Sequence, residues 1–433
     1  MNFRFLNPDD LTAVRDAINA DAEFRLAARF FSQDILLIVD DAQCIVKARD
    51  GTIAEIKLNP TFMNPWSFFI KGSANAWRNF LQAIPPPFFT DLYGCISRGH
   101  FELGGDIEVA FAHFWPLTRM LEIFRELQNG APTTVEPISK EPRTTNIEPV
   151  TGRYIYLTVQ GIEYRVYFEQ NGSGVPLVCQ HTAASDGRLW RHLLNDPDIT
   201  RRFQVIVPDL PYHGKSSPPE SVAWWREEYK LTKSFFLDFH VELARALKLE
   251  KPVFMGCSMG GQLAVELAIE RPDEFRAVIG LEAGLSRARM APTLDFHHHP
   301  RIGNEFRMQS MYGKTAPGNS ERHRREIAWT YGQSAPPVSK GDLYYNFIDH
   351  NLTAGEAQRI DSSRIAVYLM TGEYDWGNSP DQTRILADQI KGSKFVEMKG
   401  LGHFPMAENF ALFKRYLMPV LHEIASSAPG EPS

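Results

Sequence analysis

Ser258 lies in Gly256-Cys257-Ser258-Met259-Gly260, a G-x-S-x-G spacing set between an apolar run at 252–255 and an amphipathic one at 262–268. A strand, a sharp glycine-flanked turn and a helix, in that order, lift a serine hydroxyl off a sheet and place it at the positive end of the helix. The flanking glycines leave room for the strained turn. Two partners follow in the order acid, then histidine. Asp375 sits just past the buried run 365–370, and His403 lies in Gly400-Leu401-Gly402-His403-Phe404-Pro405, after the run 394–398. In such a set His403 takes the proton of Ser258 and returns it to a leaving group, while Asp375 fixes the imidazole tautomer and stabilises its charged form. Glu373 and Glu282 are the competing acids; Asp375 is the preferred one.

These groups need a sheet to hold them, and the flanking segments supply it. From about Tyr154 to Ile424 the chain resembles the α/β-hydrolase fold family. Residues 154–159 and 163–169, around Gln160-Gly161-Ile162, resemble its opening hairpin, and 176–181 its first inner strand. Residues 204–216 resemble the next strand and the D-x-P-G-x-G-x-S loop, with departures at Tyr212 and His213. The resemblance implies an α/β fold: a mostly parallel eight-stranded sheet with a helical cap, preceded here by a smaller α+β domain. It also implies an oxyanion hole of two backbone N–H groups. Met259 is expected to supply one. Ala183, in His181-Thr182-Ala183-Ala184-Ser185-Asp186-Gly187, is expected by position to supply the other. Threonine replaces the family's usual glycine at 182, and His181 is read as a brace for the loop.

Haloalkane dehalogenases and epoxide hydrolases of this family carry aspartate where this chain has Ser258. Serine favours acyl transfer through an acyl-enzyme, hence hydrolysis of a hydrophobic carboxylic ester or thioester. Carbon–carbon bond hydrolysis of an aromatic-ring cleavage product is one alternative, and a non-catalytic lipid-binding protein on a hydrolase scaffold is another. The set needs no cofactor and no metal. The neighbouring His297-His298-His299 cannot all face one point on a helix or strand, so it reads as a polar loop.

Among 433 residues, 43 % are hydrophobic and 23 % charged, as in an ordinary globular protein, and the length exceeds one minimal domain. A net charge of −6 gives no basic surface for nucleic acid or an anionic membrane. No apolar run reaches the ~18 residues of a membrane span, and the first residues lack a signal-peptide core. Cys44, Cys95, Cys179 and Cys257 are scattered, without zinc or redox spacing, and are expected to be buried thiols in a reducing cytoplasm.

Residues 129–152 hold four prolines and no apolar period, and read as a linker; 426–433 reads as a flexible tail. This divides the chain into a domain at 1–128 and a hydrolase domain at 153–425. In the first, a helix is expected over 10–31, strands at 35–39, 44–49, 53–58, 66–70 and 96–103, and a closing helix ending near Leu127. That order, with Lys71-Gly72-Ser73 and the segment Gly99 to Asp106, resembles a sterol-carrier-protein-like domain, which implies binding of a lipid or acyl chain; packing or homodimer formation is the other role open to it. A long insertion, about 286–363, is expected to form the cap. Its Met and aromatic residues, with Trp224, Trp225 and Trp376, suggest an apolar acyl or aryl pocket.

Overall fold

The computed structural model describes residues 3–130 and 147–426. Most of the linker read at 129–152, and all but the first residue of the tail read at 426–433, lie outside them. The chain forms two compact units. One joins the N-terminal residues to His299–Glu321; the other holds the segment that ends at His298 and everything from Arg322 onward.

The first unit begins with helices α1 (Leu11–Ala20) and α2 (Ala22–Ala27). The expected single helix over 10–31 is divided at Asp21, whose extended backbone breaks the run. The Asp21 carboxylate caps α2 by accepting from the Phe24 N–H, and it also accepts from Arg119 at 2.8 Å. Strands β1 (Asp34–Val39), β2 (Ala42–Arg49), β3 (Thr52–Leu58), β4 (Phe68–Gly72) and β5 (Phe101–Gly105) form a sheet ordered β3-β2-β1-β4-β5. β1 and β4 pair in parallel and the other neighbours antiparallel. The strand expected at 96–103 begins later. Asp91 accepts from the Gly94 N–H and starts a helix over Leu92–Ser97 that takes up the first part of that run.

The middle of this unit is filled by rings. Trp77 lies 5.3 Å from Phe5 and 4.7 Å from Phe101, and Phe5 stacks on Phe124 at 4.9 Å, measured between centroids. The helix Asn304–Gly313, inside the expected cap insertion, belongs to this unit. It carries Phe306, whose ring lies 4.6 Å from Phe111 and 5.2 Å from Phe114.

The second unit is built on an eight-stranded sheet. Its strands are β6 (Thr151–Val159), β7 (Ile162–Asn171), β8 (Val175–Gln180), β9 (Phe203–Pro208), β10 (Val253–Cys257), β11 (Ala277–Leu281), β12 (Ala366–Gly372) and β13 (Lys394–Met398). Their order is β13-β12-β11-β10-β8-β9-β7-β6; the β6–β7 and β7–β9 pairings are antiparallel, so β7 alone runs against the other strands. Every residue of β10 and β11 is buried, as expected for central parallel strands covered on both faces. The loops leaving the carboxyl ends of β8, β10, β11, β12 and β13 carry the candidate residues.

Candidate active site

Ser258 occupies the turn between β10 and the helix Met259–Glu270, at φ 58° and ψ −107°. Left-handed backbone at a residue with a Cβ is strained. Close approach explains the glycines: a Cβ on Gly256 would stand 2.4 Å from Gly260, and one on Gly261 would stand 2.0 Å from the Leu281 carbonyl oxygen. The turn is pinned by the Ser258 N–H, which donates to that same carbonyl at 2.9 Å.

His403 and Asp375 are both buried, and the imidazole Nδ1 stands 2.9 Å from Oδ2 of Asp375. Asp375 also accepts from the N–H groups of Gly377 at 2.7 Å and Asn378 at 3.2 Å. Glu373, the nearer rival in sequence, turns elsewhere: its carboxylate accepts from the Gly400 N–H and from Lys399. Glu282, the other rival, does reach the site. Its carboxyl, Asp375 and His403 each present an atom within 4.8 Å of the others. Burial, then the Asp375 charge, pushes the Glu282 carboxyl well above the usual carboxylate range. This is the one metal-ligand-type cluster among the described residues, and all three groups are buried.

Glu408 is a contact that the spacing alone did not reveal. Its fully buried carboxylate accepts from the N–H groups of Gly402, at 2.9 Å, and Phe404, at 3.1 Å, on either side of His403. The Cys257 thiol, beside Ser258, donates to the His403 carbonyl at 3.2 Å and ties the histidine loop to the serine turn.

The loop after β8 is held just as firmly. His181 is buried; its Nε2 accepts from the Leu210 N–H at 3.1 Å, so Nδ1 carries the proton toward the Thr182 carbonyl. Burial pushes the His181 pKa down to about 4. The left-handed position of this loop falls on Ala184, at φ 56°, and not on Thr182. The Ala184 N–H donates to Asp342, on the helix Pro336–Tyr344, at 2.7 Å. The same carboxylate stands 2.8 Å from His213 Nε2 and accepts from the Tyr229 hydroxyl at 2.8 Å. His213 Nδ1 points at the Pro211 carbonyl, 2.9 Å away, so both ring nitrogens face acceptors. Although burial opposes a charge on His213, the Asp342 carboxylate raises its pKa; His213 in turn lowers that of Asp342. Tyr212, at the first departure from the glycine pattern, takes the left-handed backbone at φ 72°.

Of the tryptophans, Trp376 is buried, whereas Trp224 and Trp225 are exposed. A cavity of about 420 Å³ opens among Ser185–Arg188, Asp209, Tyr212–Lys215 and Gln333–Ala335; Ser258 and His403 are not in its wall. No helix among the described residues is long and apolar enough to cross a membrane.

The sequence profile of the alpha/beta hydrolase fold family matches residues 175–410, more than half of the chain. The chain belongs to that family. An uncharacterized hydrolase of Bacillus subtilis is 28 % identical over 144 residues, 33 % of this chain and 49 % of its own length. The 2-hydroxymuconate semialdehyde hydrolase of a Pseudomonas strain is 28 % identical over 124 residues, 28 % of this chain and 41 % of its own. The chain therefore spans less than half the length of these relatives. Among solved structures, an esterase of Thermogutta terrifontis superposes with a TM-score of 0.54 at 19 % identity, covering 63 % of this chain and 99 % of that one. The enol-lactonase of Burkholderia xenovorans gives 0.53 at 19 % identity, over 62 % and 100 %. At such identities the likeness concerns the α/β-hydrolase fold.

Proposed function

We propose that this chain is a serine hydrolase that cleaves a hydrophobic carboxylic ester or thioester through an acyl-enzyme. The observation that carries the reading is the buried His403–Asp375 pair, 2.9 Å apart, with the His403 carbonyl tied to the residue beside a strained serine. Ser258 Oγ attacks the carbonyl carbon and its proton passes to His403. The bond to the leaving oxygen or sulfur breaks, and His403 returns the proton to that atom. Water then attacks the acyl-enzyme, gives a proton to His403, and the acid departs as Ser258 regains its own. Met259 and Ala183 hold the oxyanion by their N–H groups. The commitment of Ala184 to Asp342 leaves Ala183 as the candidate donor of that loop.

Carbon–carbon hydrolysis is the second reading, favoured by the match to the 2-hydroxymuconate semialdehyde hydrolase. The first unit reads better as a packing or dimer-forming domain than as a sterol-carrier-like lipid tunnel, because rings occupy its centre. A cytoplasmic setting is consistent with four buried thiols. The test is turnover of an aryl-ester series of rising acyl length beside a chromogenic dienol. Ester turnover that rises with acyl length supports the reading; dienol cleavage without ester turnover replaces it with the second.

A further inference from the structure

Glu282 closes β11 in a conformation that its side chain does not favour. It is fully buried and has φ 59°. Three contacts fix it there. Its N–H donates to the Met370 carbonyl at 2.9 Å, its carbonyl accepts from the Asn378 side chain at 2.6 Å, and its carboxyl accepts from the Gly372 N–H at 3.0 Å. Strain held by so many anchors points to a purpose for the side chain.

The titratable groups around it are Asp375, His403 and Glu408. Arg287 Nη2 and Asp375 Oδ1 crowd one spot, at 3.1 and 3.0 Å from where a Cβ on Gly377 would stand. An ionised Glu282 would set its charge against those of Asp375 and Glu408 in a buried site, which is costly. With Glu282 neutral, the Asp375 carboxylate is left to meet the charge when His403, 2.9 Å away, becomes an imidazolium. That is the moment at which Ser258 attacks.

We propose that Glu282 is a positioning residue: its carboxyl stays neutral, donates its proton to Asp375 and so limits how tightly Asp375 holds a proton on His403. The inference rests on the Ser258–His403–Asp375 reading above. The raised Glu282 pKa agrees with the geometry, since burial and the Asp375 carboxylate both favour the protonated form. Without the donated hydrogen bond Asp375 becomes a stronger acceptor, and the imidazolium of His403 persists to higher pH.

The experiment is the rate of fluorophosphonate labelling against pH for the full chain, in wild type, Glu282→Gln and Glu282→Leu, with Ser258→Ala as the blank. The rate follows the neutral fraction of His403 and needs no knowledge of the natural substrate. Glutamine offers the same donor and acceptor, so its acid limb should stay within about 0.3 pH unit of wild type, whereas that of leucine should move up by about one unit. A merely structural role would lower stability or the maximal rate and leave the midpoint in place. A downward shift in Glu282→Gln would mean that Glu282 carries a charge, and an unmoved midpoint in a folded Glu282→Leu would mean that it tunes nothing; either overturns the proposal. If Glu282→Leu fails to fold, Glu282→Met takes its place and the glutamine arm still separates a neutral from a charged Glu282. Absence of labelling in wild type would instead defeat the hydrolase reading, before any variant is compared.

Discussion

The backbone N–H of Ala184 donates to the carboxylate of Asp342, a residue 158 positions later in the chain. This bond fastens the loop that carries Ala183 to the helix Pro336–Tyr344, and the buried His213 completes the fastening. Asp342→Ala leaves His213 and the Ala184 N–H without their partner, so a loss of about 3–5 kcal/mol is expected. The pH dependence has a definite sign. The pKa of His213 is raised in the folded state, so its contribution is present below its unfolded value and is lost as pH rises through the folded one. The pKa of Asp342 is lowered, so its contribution is present above its unfolded value and is lost as pH falls through the folded one. Urea unfolding of wild type and variant should therefore differ most between about pH 4 and 6.5, and less on either side.

Ser258→Gly removes the side chain from a left-handed position. The variant should gain about 1 kcal/mol in thermal unfolding while losing all labelling. A drop in Tm would mean that the turn stores no strain.

Gly261→Ala drives a methyl group to 2.0 Å from the Leu281 carbonyl oxygen. The backbone of the elbow has to shift, at a cost of about 1–3 kcal/mol, and ester turnover should fall with it. Circular dichroism melts and the turnover rate, read together, check both effects.

Glu408→Ala strands the N–H groups of Gly402 and Phe404, at a cost of about 1–3 kcal/mol each. Because these flank His403, labelling should slow by about tenfold or more. Glu408→Gln keeps an acceptor and should recover most of that rate.

Phe306→Ala opens a hole among Phe111, Phe114 and Tyr93 and should destabilise the first unit by about 3–5 kcal/mol. Hydrogen exchange on the full chain should show faster opening in α1, α2 and β1–β5 than in the strands of the second unit.

The parallel strands were legible because burial on both faces makes them short, continuous apolar runs, such as Ala277–Leu281. The sharp turn at Ser258 was legible because close approach at Gly256 and Gly261 excludes any larger residue. Asp21 hid a helix break, because a capping aspartate inside an apolar period looks like one more exposed polar residue. The helix at Leu92–Ser97 was masked in the same way by Asp91. Asn304–Gly313 gave no signal of its allegiance, since Phe306, Met308, Met311 and Tyr312 show that it has an apolar side but not which unit receives it. Glu408 and Asp342 act through backbone N–H groups, whose positions no side-chain spacing encodes.

The central claim is that Ser258 is the nucleophile, and intact-mass analysis after fluorophosphonate treatment tests it most directly. One equivalent of label on wild type and none on a folded Ser258→Ala is the result expected. Equal labelling of both, or none on wild type, would contradict it.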